Sequence, residues 1–133
     1  AENNNGDVAI SDRSTVVVTD IGGRHRFSYH GGPFNFGVVQ GICTDSLSHI
    51  LVCDSYSSSV HMIDKDGHFL KYLLMRPPGI LSPSSLTIDV NTHLLWVGSS
   101  SLNTVLGYRY ITQYDSTNGK TAFILIWSHY HLR

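Results

Sequence analysis

Residues 41–73 read G-I-C-T-D-S-L-S-H-I-L-V-C-D-S-Y-S-S-S-V-H-M-I-D-K-D-G-H-F-L-K-Y-L, and parts of this segment occur again on both sides of it. Residues 85–97 repeat its first half, and residues 5–20 repeat its middle. A period of about 40–45 residues, with several strands in each unit, is typical of propeller blades. The repeat therefore predicts an all-β propeller fold and favours binding over catalysis.

The middle repeat provides the template for the strands. We predict its four strands at residues 41–44, 49–54, 60–63 and 68–74, with a hairpin turn at Asp66-Gly67. The second strand is apolar on both faces, with Ile50 and Val52 on one and Leu51 and Cys53 on the other. We therefore expect neighbouring blades on both sides of it.

The template, laid over the chain, gives about three four-stranded antiparallel blades. Residues 5–29 form a first blade without its inner strand, and residues 41–74 form a complete middle blade. Residues 85–128 form a third blade, in which Asp89 and His93 align with Asp45 and His49. The sequence leaves two alternatives for the last strand of this blade: residues 112–133 either complete the blade or form an unrelated tail.

Three blades are too few to close a ring, since propellers have roughly 4–8 blades. The ring therefore needs further blades or self-association. The chain begins at Ala1 without an initiator methionine, and we expect it to be a piece of a longer protein.

The pattern G-I-x-x-D, I-L-V-x-D, V-x-x-I-D-x-D-G-x-F-L-K-Y-L in residues 41–73 resembles an NHL repeat. NHL repeats form propellers, commonly six-bladed, and are found at the C-terminus of tripartite-motif (TRIM) ubiquitin ligases and related proteins. The resemblance covers residues 5–111 and implies a binding module for protein partners, the substrate-recognition part of a TRIM-like ligase. Ligase activity would lie in other domains, so we predict no enzyme activity and no cofactor for this chain.

The resemblance also places the ligand-binding face at the connections between second and third strands and between blades. We predict a binding surface from residues in these connections: Arg13, Tyr56, Arg76, Asn103, Phe34 and Phe36. NHL repeats often carry an Asn and a basic residue where this chain has Ser57 and Ser59. The loss of these basic residues leaves fewer contacts for RNA phosphates. We therefore predict a protein ligand first and keep RNA binding at this face as the alternative function.

Other candidate sites have simpler structural explanations. Several aspartates recur at matching repeat positions, which favours turn residues that accept backbone N–H groups over catalytic or cation-binding carboxylates: Asp12, Asp20, Asp45, Asp54, Asp64 and Asp89. Arg24-His25-Arg26 is a compact basic cluster beside aromatic residues, a combination suited to single-stranded nucleic acid. It falls on the side opposite the expected binding face.

The composition limits the remaining classes of function. The 133 residues carry a net charge of −1, which predicts no general affinity for polyanions. No apolar run is long enough for a membrane span. Cys43 and Cys53 are expected to be buried free thiols, which indicates a reducing compartment and a cytoplasmic location. A third functional alternative is a metal-dependent propeller hydrolase or lyase, although we predict no metal site.

Overall fold

The computed structural model describes residues 1–31, 37–76, 82–89, 91–92, 94–101 and 104–109, and the backbone of residues 110–115, 120–126 and 131–132. Within these residues the chain forms three antiparallel sheets and no helix. The prediction of an all-β fold is therefore confirmed. This part of the chain accordingly contains no helix long and apolar enough to cross a membrane.

Sheet I contains β1 (Val8–Asp12), β2 (Thr15–Thr19) and β3 (His25–Tyr29), in that order. The β-branched residues of β2 suit a pleated, half-buried strand. Before β1, Glu2 forms an isolated antiparallel bridge with Val8, and the backbone N–H of Ala9 donates to the Ala1 carbonyl at 2.8 Å. Ala1 and Glu2 thus lie beside β1, where the inner strand of this sheet would run. The sequence predicts no inner strand there.

Sheet II is a four-stranded meander of β4 (Val39–Thr44), β5 (Ile50–Asp54), β6 (Ser59–Ile63) and β7 (Phe69–Met75). Every residue of β5 and β6 is buried. The two central strands of this sheet are therefore the centre of the described structure.

Sheet III contains β8 (Pro83–Asp89), β9 (Leu94–Ser99), β10 (Thr104–Asp115) and β11 (Lys120–Ile126). A short strand, β12 (His131–Leu132), also pairs with β10. β11 pairs antiparallel with residues 109–115 of β10, so residues after 112 add a fourth strand to this sheet.

The three sheets pack face to face in chain order. We call the face that packs on the preceding sheet the leading face and the opposite one the trailing face. The trailing face of sheet I packs on the leading face of sheet II through Ala9, Val16, Val18, Tyr29, Val39, Ile50, Val52 and Ile63. The trailing face of sheet II packs on sheet III mainly through Leu51, Cys53, Val60, Met62, Leu95, Val97, Leu106 and Tyr108. The predicted apolar alternation of β5, with cover on both sides, is confirmed.

The first strands of sheets II and III lie side by side. A Cβ atom on Gly41 would lie only 2.8 Å from Cα of Ser85 and 2.9 Å from the carbonyl oxygen of Ser84. The absence of a side chain at Gly41 therefore allows β4 and β8 to approach this closely.

The turn that leads into β9 is one residue longer than its counterpart in sheet II. In sheet II the Asp45 N–H donates to the His49 carbonyl at 3.1 Å, whereas in sheet III Asp89 pairs with Leu94. Leu95 consequently takes the place of Ile50 and faces sheet II. The sequence alignment of His93 with His49 is one residue out of register along β9, and His93 itself lies outside the described residues.

Candidate binding surface

The turns of each sheet lie at two opposite ends, because successive strands run in opposite directions. The turn end carries residues 3–7, 20–24, 45–49, 64–68, 89, 91–92 and 94. The connection end carries the turns at residues 13–14, 55–58 and 100–101 and the described parts of the links between sheets, residues 30–31, 37–38, 76 and 82. Contacts between loops at the same end connect neighbouring sheets: Asn3 Nδ2 donates to the Ser48 carbonyl at 2.9 Å, and the Ser82 N–H donates to Ser58 Oγ at 3.1 Å.

Three of the predicted binding residues lie at the connection end. Arg13 is in the β1–β2 turn, Tyr56 in the β5–β6 turn, and Arg76 directly follows β7. All three are exposed, and Arg13 and Arg76 have φ values of 55° and 45°, in the left-handed region. The other three predicted residues, Asn103, Phe34 and Phe36, lie outside the described residues.

Backbone hydrogen bonds tie the loops of the connection end to one another. The Val39 N–H donates to the Arg13 carbonyl at 2.8 Å, and the Arg76 N–H donates to the Ser58 carbonyl at 2.7 Å. The Ser55 N–H donates to the Val38 carbonyl at 3.0 Å. The described parts of the turns and of the links between sheets therefore form one cross-braced surface.

Asp54 organises the centre of this surface. Its carboxylate accepts hydrogen bonds from the backbone N–H groups of Gly37, Val38 and Tyr56 at 3.1, 3.1 and 3.0 Å. Burial alone would raise the pKa of Asp54, but hydrogen bonds from Val38, Gly37 and Ser57 outweigh it, and the pKa is lowered from its ordinary value. Asp54 is therefore an ionised structural brace.

Among the described residues, Tyr56 is the most exposed aromatic residue of the connection end, with 84% of its surface accessible. A Cβ atom on Gly37 would lie 2.4 Å from Cβ of Tyr56, so the close approach of this loop to residue 37 requires glycine. Val38 and Met75, at 42% and 51% exposed, add apolar area at the same end. These two side chains are not among the predicted binding residues, because no motif or repeat position singles them out.

The two arginines place positive charge at this end, where the carboxylates of Asp12 and Asp54 also lie. No ion pair in the described part of the chain involves Arg13 or Arg76. The turn end instead carries many aspartates, whose carboxylates already accept hydrogen bonds from backbone N–H groups. An exposed apolar group between cations suits an amphipathic or acidic partner surface.

The basic cluster at Arg24-His25-Arg26 lies at the turn end, and there Arg26 has a structural role. Its guanidinium bonds the carboxylate of Asp7, the carboxylate of Asp66 at 2.7 Å and the carbonyl of Lys65 at 2.9 Å. It thereby joins sheet I to a turn of sheet II. The hydrogen bonds to Asp66 and Asp7 raise the pKa of Arg26, and its charge is largely matched within the protein.

The recurring aspartates of the turn end form the expected turns. Oδ1 of Asp45 accepts from the backbone N–H groups of Leu47 and His49, both at 2.9 Å, and its Oδ2 lies 2.8 Å from His49 Nδ1. Asp20, Asp64 and Asp89 accept backbone N–H groups in the same manner. Among the described residues, no three His, Cys, Asp or Glu side chains are grouped as a metal site would require.

The two cysteines are free and buried, as predicted. Burial raises the pKa of the Cys43 thiol to about 12 and raises that of Cys53 as well. Neither thiol is therefore prepared for nucleophilic chemistry.

No model of a known protein family matches this chain, and no curated protein matches it either.

Proposed function

We propose that the three sheets are consecutive blades of a β-propeller and that the connection end binds a protein partner. In the NHL-type arrangement that the sequence resembles, this would be the substrate-recognition part of a TRIM-like ubiquitin ligase. The propeller proposal is supported by the face-to-face packing of successive meanders and by the close approach of β4 and β8.

The observation that carries the binding proposal is Tyr56, which is exposed yet held in a braced loop. Asp54 fixes the backbone of Tyr56, and Gly37 allows the close contact beneath it. A preorganised aromatic side chain loses little conformational entropy on binding, and such residues are common anchors of protein interfaces. Arg13 and Arg76 would add attraction for acidic groups on the partner.

Site-specific photo-crosslinking tests this proposal. Benzoylphenylalanine in place of Tyr56 should give discrete crosslinked protein bands in cells, whereas the same group in place of Ile21, which is 85% exposed at the turn end, should not. Each band found at position 56 is then tested for dependence on the Arg13 and Arg76 side chains. Equal crosslinking from both positions would contradict the proposal.

A triple variant provides the quantitative comparison. Replacing Arg13, Tyr56 and Arg76 by alanine should weaken capture of the crosslinked partner at unchanged thermal stability. The matched control replaces Arg24, Ile21 and Leu47, one arginine and two exposed apolar residues of the turn end. Capture by the control should equal that of the unmodified chain.

RNA is the second candidate ligand of the same end, because an exposed ring near two arginines also suits stacking on single-stranded bases. Its affinity would fall steeply with salt concentration. Titration of single-stranded RNA at low salt, with the same triple variant and control, separates this function from protein binding. The hydrolase alternative lacks support within the described residues, where no set of metal ligands converges.

A further inference from the structure

The loops of the connection end follow one another in a fixed order. The Val39 N–H donates to the carbonyl of Arg13, in the β1–β2 turn, at 2.8 Å. The Val38 carbonyl accepts an N–H group of the β5–β6 turn at 3.0 Å. On the far side of that turn, the Arg76 N–H donates to the Ser58 carbonyl at 2.7 Å. These backbone hydrogen bonds arrange the exposed residues of the loops in a row.

The row has a cation at each end and apolar side chains between them. Arg13 and Arg76 are its two ends, and both are exposed. Between them lie Val38, Tyr56 and Met75, with 42%, 84% and 51% of their surface accessible. This order of charges and apolar groups is complementary to a ligand that is acidic at both ends and apolar in the middle.

Both arginines have a backbone conformation that favours glycine. Their φ values of 55° and 45° lie in the left-handed region, where a residue with a side chain is strained. Glycine would form the same backbone hydrogen bonds without this strain. Within the described part of the chain, neither Arg13 nor Arg76 forms an ion pair or a side-chain hydrogen bond. Strained residues of this kind are typical of ligand-binding sites, which points to a ligand for the two guanidinium groups.

The carboxylates at this end affect the two arginines differently. Asp54 is 2% exposed, and its charge is already engaged by backbone N–H groups. Asp12 is exposed and directly precedes Arg13, so it weakens the attraction of Arg13 for an acidic group. The sequence neighbours of Arg76 are uncharged. We therefore expect Arg76 to contribute more than Arg13 to the binding of an acidic ligand.

The length of the row sets the spacing of the acidic groups on the ligand. Three strand pairings cross the row: Val39 pairs with Asp54, Asp54 with Ser59, and Ser59 with Met75. With about 4.8 Å for each pairing and a similar step from Val39 to Arg13, the row is about 19 Å long. An extended peptide rises about 3.3 Å per residue, so about six residue steps match this length.

We propose that the connection end binds an extended peptide segment with two carboxylates about six positions apart and apolar side chains between them. One carboxylate pairs with Arg13 and the other with Arg76, since the guanidinium fork matches a carboxylate. The apolar side chains pack on Val38, Tyr56 and Met75. This inference rests on the proposed binding function of the connection end and adds the chemistry of the ligand.

Fluorescence anisotropy with the purified 133-residue chain tests the proposal. The probe is a labelled peptide, Glu-Ser-Leu-Ser-Leu-Ser-Glu, in which the Glu and Leu side chains share one face of an extended chain. We expect saturable binding that becomes about tenfold weaker when both Glu residues are replaced by Gln. A peptide of the same composition with both Glu residues at one end should also bind more weakly. Absence of saturable binding at the highest soluble concentration, or equal binding of all three peptides, overturns the inference.

Glycine variants separate binding from folding. Arg13→Gly and Arg76→Gly remove the side chain and relieve the backbone strain. Each should weaken binding of the peptide, Arg76→Gly more than Arg13→Gly, while the melting temperature stays equal or rises. Arg24→Ala, at an exposed residue of the turn end, should bind the peptide like the unmodified chain. A lower melting temperature with unchanged peptide binding would show that the arginines serve the fold, and it would overturn the inference.

Removal of the Asp12 carboxylate tests the sign of the charge effect. Asp12→Asn should strengthen binding of the peptide, because it removes a like charge beside the carboxylate bound at Arg13. Glu2→Gln is the matched control, since Glu2 is exposed but lies outside the row, and it should leave binding unchanged. Weaker or unchanged binding in Asp12→Asn would contradict the pairing of a ligand carboxylate with Arg13.

A failure of this inference is distinguishable from a failure of the proposed function. A chain that crosslinks a protein through position 56 but does not discriminate between the peptides still binds a protein at the connection end, and only the acidic ligand is refuted. Selective peptide binding without a crosslink from position 56 has the opposite meaning: the acidic ligand is supported, and Tyr56 is not the anchor of a cellular protein partner.

Discussion

Oη of Tyr29 lies 3.1 Å from Nδ1 of His61, across the junction between sheets I and II. His61 is 2% exposed, and its ring also makes T-shaped contacts with the rings of Phe69 and Tyr72 at centroid distances of 5.9 and 4.8 Å. Burial lowers the pKa of His61 from 6.5 to about 4, although the charge of Asp54 opposes part of this shift. The junction is therefore built around a neutral histidine.

The free energy of unfolding should consequently fall as the pH is lowered from about 6.5 to about 4. In this window the unfolded chain takes up a proton on His61 while the folded chain does not, so protons favour the unfolded state. Above pH 6.5 His61 is neutral in both states and contributes no pH dependence. Urea denaturation at a series of pH values measures the slope.

Two variants isolate the contribution of His61. His61→Phe should remove part of the slope between pH 6.5 and 4, whereas His68→Gln, at a side chain that is 78% exposed, should retain it. Asp54 and Asp64 have lowered pKa values, so their stabilisation is lost in a separate window below pH 3.8. An identical slope in His61→Phe and the unmodified chain would refute the assignment.

The features that the sequence predicts well depend on neighbouring residues. Asp45 accepts the N–H groups of residues two and four positions on, and such turns follow from local chemistry. The two apolar faces of β5 are likewise visible in four consecutive residues, since side chains alternate along a strand. The fold class and most strand positions follow from signals of this kind.

Features that depend on residues far apart in the chain could not be predicted from the sequence. The longer turn before β9 moves Leu95 into the place of Ile50, and only the pairing with β8 shows this shift. Asp54 bonds the N–H of Gly37, 17 residues away, through a contact that no spacing rule predicts. In the sequence, nothing distinguishes His61 from other residues of a strand. Its burial depends on aromatic residues from another strand and from another sheet.

Gly41→Ala should destabilise the junction between sheets II and III. The added methyl group would lie 2.8 Å from Cα of Ser85, and the backbones of β4 and β8 cannot move apart without loss of packing between their sheets. We expect a loss of about 1–3 kcal/mol in the free energy of unfolding. Gly22→Ala is the control, because its nearest atom, Oδ1 of Asp20, is 3.4 Å away, and denaturation should show little change.

The thiols of Cys43 and Cys53 should react with a thiol reagent only after unfolding. Both side chains are buried and burial raises both pKa values, so little reactive thiolate forms in the folded protein. The reaction rate at pH 8 should follow the rate of unfolding as urea is added. Leu47→Cys, with its exposed position, should supply one immediately reactive thiol; fast reaction of the unmodified chain would contradict the prediction.

Gly37→Ala should displace Tyr56 while leaving the cores between the sheets intact. The new Cβ would lie 2.4 Å from Cβ of Tyr56, and this exposed loop has room to move outward. We therefore expect altered amide chemical shifts around Tyr56, weaker partner capture and only a small change in melting temperature. Unchanged shifts at Tyr56, measured by NMR against Gly22→Ala, would show that this contact does not fix the loop.

Asp54→Ala should loosen the connection end more than Asp54→Asn. Alanine removes the acceptor for Gly37, Val38 and Tyr56, whereas asparagine keeps one oxygen for Val38 and Tyr56 and loses only the acceptor facing Gly37. Leaving such donors unsatisfied costs about 1–3 kcal/mol. Amide hydrogen exchange at these three residues should be fastest in Asp54→Ala, slower in Asp54→Asn and slowest in the unmodified chain. The free energy of unfolding, measured by urea denaturation, should be lowest for Asp54→Ala and highest for the unmodified chain.

Asp12→Ala is the matched control for this series. Asp12 corresponds to Asp54 in the repeat, but it lies exposed at the end of β1, so its removal should change the free energy of unfolding by less than about 0.5 kcal/mol. The difference between the two alanine variants isolates the brace that joins Asp54 to the link before β4. Equal losses at Asp12 and Asp54 would mean that the hydrogen bonds to Gly37 and Val38 do not stabilise this end, and Tyr56 would then lack the fixed position on which partner binding is argued.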